Sequence, residues 1–216
     1  MLRYLFALLA TLCLAPSAFA QNMVEKFQLG THYFAIEPAQ STPSDKVEVT
    51  EVFSYACIHC AHFQVVVDGW RKRMPAAASL SYMPAAWNPG WELMARAFYA
   101  AEALGILDKT HQAFYDALHV EHKPFASLDD IAQWHAAKAG IKADDFVAAA
   151  TSSAVNIKVN RSKQMVPRYG IDGTPSVVVG GKYRVTGSSA GGLEQVFEIV
   201  DFLVTKEAAA RGTKAG

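Results

Sequence analysis

The chain has 216 residues, and its 20 lysines and arginines balance its 20 aspartates and glutamates, so the formal net charge is zero. Because there is no basic excess, neither nucleic acid nor an anionic lipid surface is an expected partner. The length is enough for one sizeable core and suits a single domain that carries a large insertion.

The first 20 residues have the pattern of a cleavable signal peptide. Arg3 supplies the positive start, residues 5–15 form an apolar stretch, and the Ala-Phe-Ala segment at residues 18–20 predicts cleavage after Ala20. The apolar stretch is shorter than the roughly 20 residues that a membrane span needs. We therefore expect a soluble, exported product, and the oxidising periplasm of a bacterium is the predicted compartment.

The first half of the expected mature chain predicts two strands, a helix and a third strand. A short strand is expected at residues 33–36, and β-branched and aromatic residues indicate a second strand at residues 47–55. Apolar residues then recur at helical spacing over residues 63–75, and a third strand is expected near residues 80–83. The segment between the second strand and the helix is therefore a strand-to-helix junction.

The second half predicts a block of helices, a hairpin and a last helix. Residues 89–168 contain no convincing strand and carry alanine, leucine and phenylalanine at helical intervals, and Ser127 with Asp130 matches a capping box. Two short strands on either side of the pair Gly180 and Gly181 predict a hairpin. A helix with one apolar face is expected after it.

Two cysteines lie at the strand-to-helix junction. Cys57 and Cys60 are the only cysteines of the expected mature chain, since Cys13 lies in the leader. Two thiols at this spacing can close a small reversible disulfide, which indicates a redox group more readily than a structural crosslink. This disulfide is the expected redox group, and no separate cofactor is expected.

The two thiols are expected to differ in reactivity. Cys57 at a helix N-terminus is close to unpaired backbone N–H groups and to the positive end of the helix dipole, which both stabilise a thiolate. A protonated His59 would add a nearby positive charge. We therefore expect Cys57 to be the exposed thiol that exchanges with a partner and Cys60 to be the buried resolving thiol.

The motifs resemble those of the DsbA family of periplasmic thiol:disulfide oxidoreductases. The resemblance rests on the Cys-x-His-Cys motif at residues 57–60 and on the Gly-Thr-Pro-Ser segment at residues 173–176, and it covers essentially the whole mature chain. It implies an α/β fold with a thioredoxin-like mixed sheet flanked by helices and a helical domain inserted. The implied division is thioredoxin-like parts at 21–88 and 169–205, the helical insertion at 89–168 and a flexible tail at 206–216.

The resemblance also implies a function and several site residues. It implies an enzyme, a monomeric dithiol oxidase that passes its disulfide to cysteines of exported proteins and is reoxidised by a membrane partner of the DsbB kind. Pro175 is expected to be cis and to face the sulfurs, and the Thr174 backbone is expected to pair with a bound peptide. With Ile58, which stands where the best known members have proline, these are the candidate substrate contacts.

Glu51 is a further candidate catalytic residue. It lies six residues before the first cysteine, where the family carries a buried acid, and alternation places it on the same strand face as Val49 and Phe53. Burying an ionised acid is costly, so its pKa should rise and it could exchange protons with Cys60. The alternative is an acid on a solvent-facing edge.

Other functions stay open at this point. A reductase or an isomerase of the same fold would differ in its reduction potential. A non-catalytic thioredoxin-like protein could instead bind a metal or a dedicated partner. Cys57, His59, Cys60 and His62 could in principle supply four ligands, but a structural zinc site usually draws its second pair from a distant segment. The remaining histidines of the helical block are expected to be surface or packing residues: His111, His119, His122 and His135.

Overall fold

The computed structural model describes residues 26–42 and 44–212. The predicted signal peptide, its cleavage site and Cys13 lie outside these residues. Within them the elements follow the predicted order of two strands, a helix, a strand, a block of helices, a hairpin and a helix. A short helix directly after the hairpin is the one element of this part of the chain that the sequence did not predict.

The strands are β1 (Phe34–Ala35), β2 (Val47–Phe53), β3 (Ala78–Pro84), β4 (Ser176–Val179) and β5 (Tyr183–Thr186). The helices are α1 (Ile58–Arg71), α2 (Pro89–Ala103), α3 (Leu107–His119), α4 (Leu128–Ala139), α5 (Ala143–Thr151), α6 (Ser153–Arg168), α7 (Gly187–Ala190) and α8 (Val196–Ala210). Helices α2 to α6 all lie between β3 and β4 in the chain.

The sheet has a mixed topology that brings two distant segments to one edge. Its strand order is β1-β5-β4-β2-β3, with β2 parallel to β3 and antiparallel to β4. Val52 near the end of β2 pairs with Ser176 at the start of β4. Residues that follow β2 therefore lie beside residues that precede β4.

Helices pack on both faces of the sheet. Helices α1 and α8 pack on one face, where the Trp70 ring stacks on Phe197 with centroids 4.5 Å apart. The end of α6 covers part of the other face, where Val166 contacts the cluster that contains Val52 and Val178. Complete burial of an aliphatic or aromatic side chain of this size contributes about 1.5–3 kcal/mol, so these two layers supply much of the stability.

The inserted helices pack against the junction between β2 and α1. Their core includes Phe53, Tyr55 and Cys60 together with buried residues of α2 to α6. Helix α4 begins at the predicted capping box, in which the Ser127 side chain accepts from the Asp130 N–H and the Asp130 carboxylate accepts from the Ser127 N–H. The insertion is thus in direct contact with the cysteine-bearing segment.

The C-terminal segment is more ordered than the sequence predicts. The sequence predicts a flexible tail from residue 206, but α8 extends to Ala210. Ala208 is fully buried, and the Glu207 carboxylate, which is 3% exposed, lies 2.6 Å from the Lys182 ammonium. A core contact and an ion pair hold these small and charged residues in the helix, and neither can be seen in local composition.

Candidate active site at the junction of β2 and α1

Cys57 is the N-cap of α1. Its backbone is extended, with φ −97° and ψ 112°, and its Sγ accepts a hydrogen bond from the Cys60 N–H at 3.4 Å. The sulfur therefore takes the place that a serine or asparagine oxygen has in most helix N-caps. The Cys57 N–H in turn donates to the Ser54 carbonyl at 3.1 Å. The predicted strand-to-helix junction is confirmed.

The two cysteines differ in exposure. Cys57 is partly exposed, whereas Cys60, one turn further into the helix, is completely buried. Both are free thiols in this structure, which therefore represents the reduced state of the pair. An incoming molecule can reach only Cys57.

The environment pushes the two thiol pKa values apart. A hydrogen bond from the Cys60 thiol is the largest cause that lowers the pKa of Cys57 to about 5, and the Thr174 side chain and the N–H groups of Cys60 and His59 add to it against the opposing effect of burial. Burial, together with the neighbouring Cys57, raises the pKa of Cys60 far above its usual range. His59 contributes to the lowered pKa of Cys57 through its backbone N–H.

Thr174 and Pro175 lie against the sulfur. The Thr174–Pro175 peptide bond is cis, and the Cys57 Sγ is 3.4 Å from the Thr174 carbonyl oxygen. Both residues and His59 line an open groove of about 720 Å³ that continues along α7 to the loop at Gly191. Ile58 is not among the residues that line this groove, although its side chain is 41% exposed next to Cys57.

Glu51 is buried in the middle of β2. It is 1% exposed and pairs with β3 on one side and β4 on the other, so the alternative of a solvent-facing edge position is wrong. Neither carboxylate oxygen has a hydrogen-bond partner among the described residues. Burial raises its pKa to about 8, with smaller contributions from the charges of Asp68 and Cys57. At neutral pH this carboxyl group is therefore mostly protonated beside the dithiol.

Comparisons with known proteins identify the family of this chain. A family model described as a DSBA-like thioredoxin domain matches residues 78–196. The thiol:disulfide interchange protein DsbA of Pseudomonas aeruginosa is 30% identical over 204 residues, which cover 94% of this chain and 96% of that protein. The chain belongs to the DsbA family. The DsbA of Azotobacter vinelandii is 33% identical over 184 residues, covering 85% of this chain and 83% of the relative.

Solved structures of DsbA proteins share the fold. The crystal structure of Pseudomonas aeruginosa DsbA matches with a TM-score of 0.82 at 29% identity and covers 88% of this chain and 99% of that chain. The Xylella fastidiosa DsbA structure matches with a TM-score of 0.77 at 32% identity, covering 82% and 96%. The thioredoxin-like fold with inserted helices is therefore confirmed.

The structure of this DsbA family member places two histidines at the site for which the sequence predicts only a surface or packing role. His111 and His119 of α3 both contact Tyr55, which lies two residues before Cys57. His111 is hydrogen-bonded to the Tyr55 hydroxyl, and the two residues are 56 positions apart in the chain. No local pattern marks either histidine, because the contact exists only once the insertion has packed against the junction.

Three further histidines lie in α1 and in the inserted helical block. His62 and His122 are exposed, and His135 is buried in the core of the insertion. Within residues 26–42 and 44–212, no three histidine, cysteine or acidic side chains lie close enough together to hold a metal ion. In the same part of the chain, no helix is long and apolar enough to cross a membrane.

Proposed function

We propose that this DsbA family chain is a thiol:disulfide oxidoreductase that donates a disulfide between Cys57 and Cys60 to cysteines of exported proteins. One observation carries the proposal most directly. An accessible, acidic thiol caps a helix next to a buried thiol whose pKa is raised. This asymmetry supports a reaction in which partners enter and leave through Cys57 alone.

The first step is attack on the oxidised pair. A substrate thiolate attacks the Cys57 sulfur, a bond forms between these two sulfurs, and the Cys57–Cys60 bond breaks with its electron pair going to Cys60. Attack on Cys60 is unfavourable because that sulfur has no exposed surface. The product is a mixed disulfide between the substrate and Cys57.

The buried thiolate left on Cys60 then requires a proton. A charge without a partner is costly at this depth, and the raised pKa of Cys60 favours its protonated form. Glu51, whose carboxyl group is buried in the adjacent strand and has its pKa raised to about 8, can supply that proton. We assign Glu51 this proton-transfer role.

The second step releases the oxidised substrate. A second substrate thiolate attacks the substrate sulfur of the mixed disulfide, and Cys57 leaves as a thiolate. The N–H groups at the start of α1 and the Cys60 thiol stabilise this leaving group. Stabilising the reduced form makes the disulfide easier to reduce, so the arrangement favours donation of the disulfide over its acquisition.

The groove beside Pro175 is the proposed substrate site. Its open shape and its mixture of backbone, glycine and hydroxyl groups suit an extended polypeptide better than a compact small molecule. A substrate chain in this groove could form a hydrogen bond with the Thr174 backbone while its cysteine sulfur reaches Cys57. His59, at the end of the groove next to the sulfur, would then contact the substrate residues that flank that cysteine.

Family membership supports the cellular setting. The proposal places the mature chain in the periplasm after removal of residues 1–20, where newly exported proteins present reduced cysteines. Each cycle leaves the enzyme with two thiols, so a second protein must remove two electrons and two protons before the next cycle. We propose a membrane partner of the DsbB kind for this reoxidation.

The reduction potential of the cysteine pair tests this proposal. The protein is equilibrated with mixtures of reduced and oxidised glutathione, and the oxidised fraction is measured after acid quenching and thiol labelling. A potential near about −120 mV, as in DsbA itself, supports disulfide donation. A potential near about −270 mV, as in thioredoxin, would contradict it and favour a reductase. A pair that does not equilibrate with glutathione would contradict any role in exchange.

A further inference from the structure

Helix α3 makes two hydrogen bonds to Tyr55, the residue that precedes the active-site turn. The Tyr55 hydroxyl lies 2.7 Å from His111 Nδ1, and the Tyr55 carbonyl oxygen lies 2.7 Å from His119 Nε2. Tyr55 is itself only 1% exposed. Both its side chain and its backbone are therefore fixed by one helix of the insertion.

The chemistry of the partners determines which atoms carry the protons. A carbonyl oxygen only accepts, so His119 must donate its Nε2–H to Tyr55. His111 Nε2 lies 3.0 Å from Gln64 Oε1, and the Gln64 amide nitrogen donates to Asp68 at 3.1 Å, which fixes the amide orientation. His111 must then donate through Nε2 and accept the Tyr55 hydroxyl proton at Nδ1.

The two hydrogen bonds of His111 connect the chain segment before Cys57 to the part of α1 after Cys60. Tyr55 lies on the strand side, two residues before Cys57, and Gln64 lies on α1, one turn beyond Cys60. His111 bridges the two, so it links the turn that positions one sulfur to the helix that carries the other. Burial, with a smaller effect of Arg71, lowers the pKa of His111 to about 4, so the bridging ring is neutral in neutral solution.

We propose that His111 and His119 are positioning residues for disulfide exchange, which hold the turn before Cys57 so that its sulfur stays at the N-terminus of α1. This inference rests on the proposed function. The N–H groups that stabilise the thiolate act through directional hydrogen bonds, which weaken steeply as distance and angle depart from the optimum. A turn released by loss of either histidine would let the sulfur move away from these donors.

A structural role in packing is the competing explanation, and it makes a different prediction. If the histidines only fill space, replacing them lowers the stability of the protein and leaves the ionisation of Cys57 unchanged. If they position the turn, the pKa of Cys57 rises in the folded variant. The equilibrium between the Cys57–Cys60 disulfide and glutathione must then change as well, because a less stable thiolate makes the disulfide form less oxidising.

The test compares His111→Phe with His135→Phe. His135 is the control, since it also lies in the insertion and is buried, but its Nδ1–H donates to the Ile131 carbonyl of its own helix. The Cys57 pKa is measured by thiolate absorbance against pH, and the disulfide equilibrium by glutathione titration. For His111→Phe we expect a rise of about half a unit or more, and a shift of about threefold in the equilibrium constant toward the disulfide.

A second pair of variants tests His119. His119→Leu removes the donor to Tyr55, whereas His119→Gln can place an amide N–H near the position of Nε2. We expect the Cys57 pKa to rise in the leucine variant and to return toward the wild-type value in the glutamine variant. The proposal is overturned if both His111→Phe and His119→Leu keep the wild-type Cys57 pKa and glutathione equilibrium while losing stability as His135→Phe does.

Wild-type exchange with glutathione is measured first. A wild-type chain that exchanges no disulfide would refute the proposed function itself. An active wild type with unchanged thiol chemistry in the histidine variants would refute only the positioning role.

Discussion

The sulfur of Cys57 lies 3.4 Å from the carbonyl oxygen of Thr174, a residue 117 positions later in the chain. A neutral thiol can donate to this carbonyl, but a thiolate or a disulfide has no S–H and cannot. The Thr174 carbonyl is therefore released whenever Cys57 is ionised or oxidised. In the disulfide form, which is the form that receives a substrate, this backbone acceptor is free to pair with an N–H of the incoming polypeptide.

Replacing Thr174 by valine should raise the pKa of Cys57. The Cys60 thiol is the largest cause of the lowered pKa, and the Thr174 side chain adds a further hydrogen bond that valine cannot make. Loss of one hydrogen bond to a charged group corresponds to a rise of about one pKa unit. Thiolate absorbance against pH measures the change. Thr205→Val, which removes a hydroxyl that donates to Asp201 in α8, should leave the Cys57 titration unchanged.

The two cysteine variants should behave differently. Cys57→Ser should lose all exchange, because the remaining thiol of Cys60 is buried. Cys60→Ser should accumulate mixed disulfides, because the Cys57 thiolate can still attack a partner's disulfide and the Cys60 thiol, whose attack on the Cys57 sulfur would reverse that step, is absent. Non-reducing gels of periplasmic extracts, compared before and after reduction, measure these adducts. Exchange activity in Cys57→Ser, or an absence of adducts in Cys60→Ser, would contradict the roles assigned to the two sulfurs.

The part of this site that is continuous in sequence could be predicted from it. The change from period-two to helical spacing placed Cys57 at the junction, and the apolar neighbours of Glu51 indicated a buried acid. The hydrogen bonds of His111 and His119 of α3 with Tyr55 could not be predicted, because they depend on how the insertion packs over the sheet. The extent of α8 was also missed, since residues 206–210 look polar and small until the contacts of Glu207 and Ala208 are known.

The reduction potential should change its slope with pH near the Cys57 pKa of about 5. Below this pH, reduction of the disulfide takes up two electrons and two protons, so the potential falls by about 59 mV per pH unit. Above it Cys57 stays ionised and one proton is taken up, so the slope is halved to about 30 mV per pH unit. Glutathione equilibria over a pH series measure the slope. A slope of about 59 mV that persists to neutral pH would show that Cys57 is not acidic, and Thr174→Val should move the break to higher pH.

Glu51 should make the folded protein less stable as the pH rises. Its pKa is about 8 in the folded state against 4.5 for the free side chain, mainly because of burial and then because of Asp68 and Cys57. The folded state keeps a proton that the unfolded chain has lost, so the stabilisation is complete below about pH 4.5 and is lost as the pH rises through 8. The shift corresponds to at most about 5 kcal/mol in the free energy of unfolding.

Glu51→Gln isolates this effect, because glutamine has a similar shape and does not titrate. The oxidised protein is used, so that neither cysteine titrates, and urea unfolding is measured at a series of pH values. We expect the stability of the wild type relative to Glu51→Gln to fall by a few kcal/mol between about pH 5 and pH 8. Glu194→Gln, at an exposed position, should give a curve parallel to the wild type. Parallel curves for the wild type and Glu51→Gln would mean that Glu51 has an ordinary pKa and cannot be the proton donor to Cys60 at neutral pH.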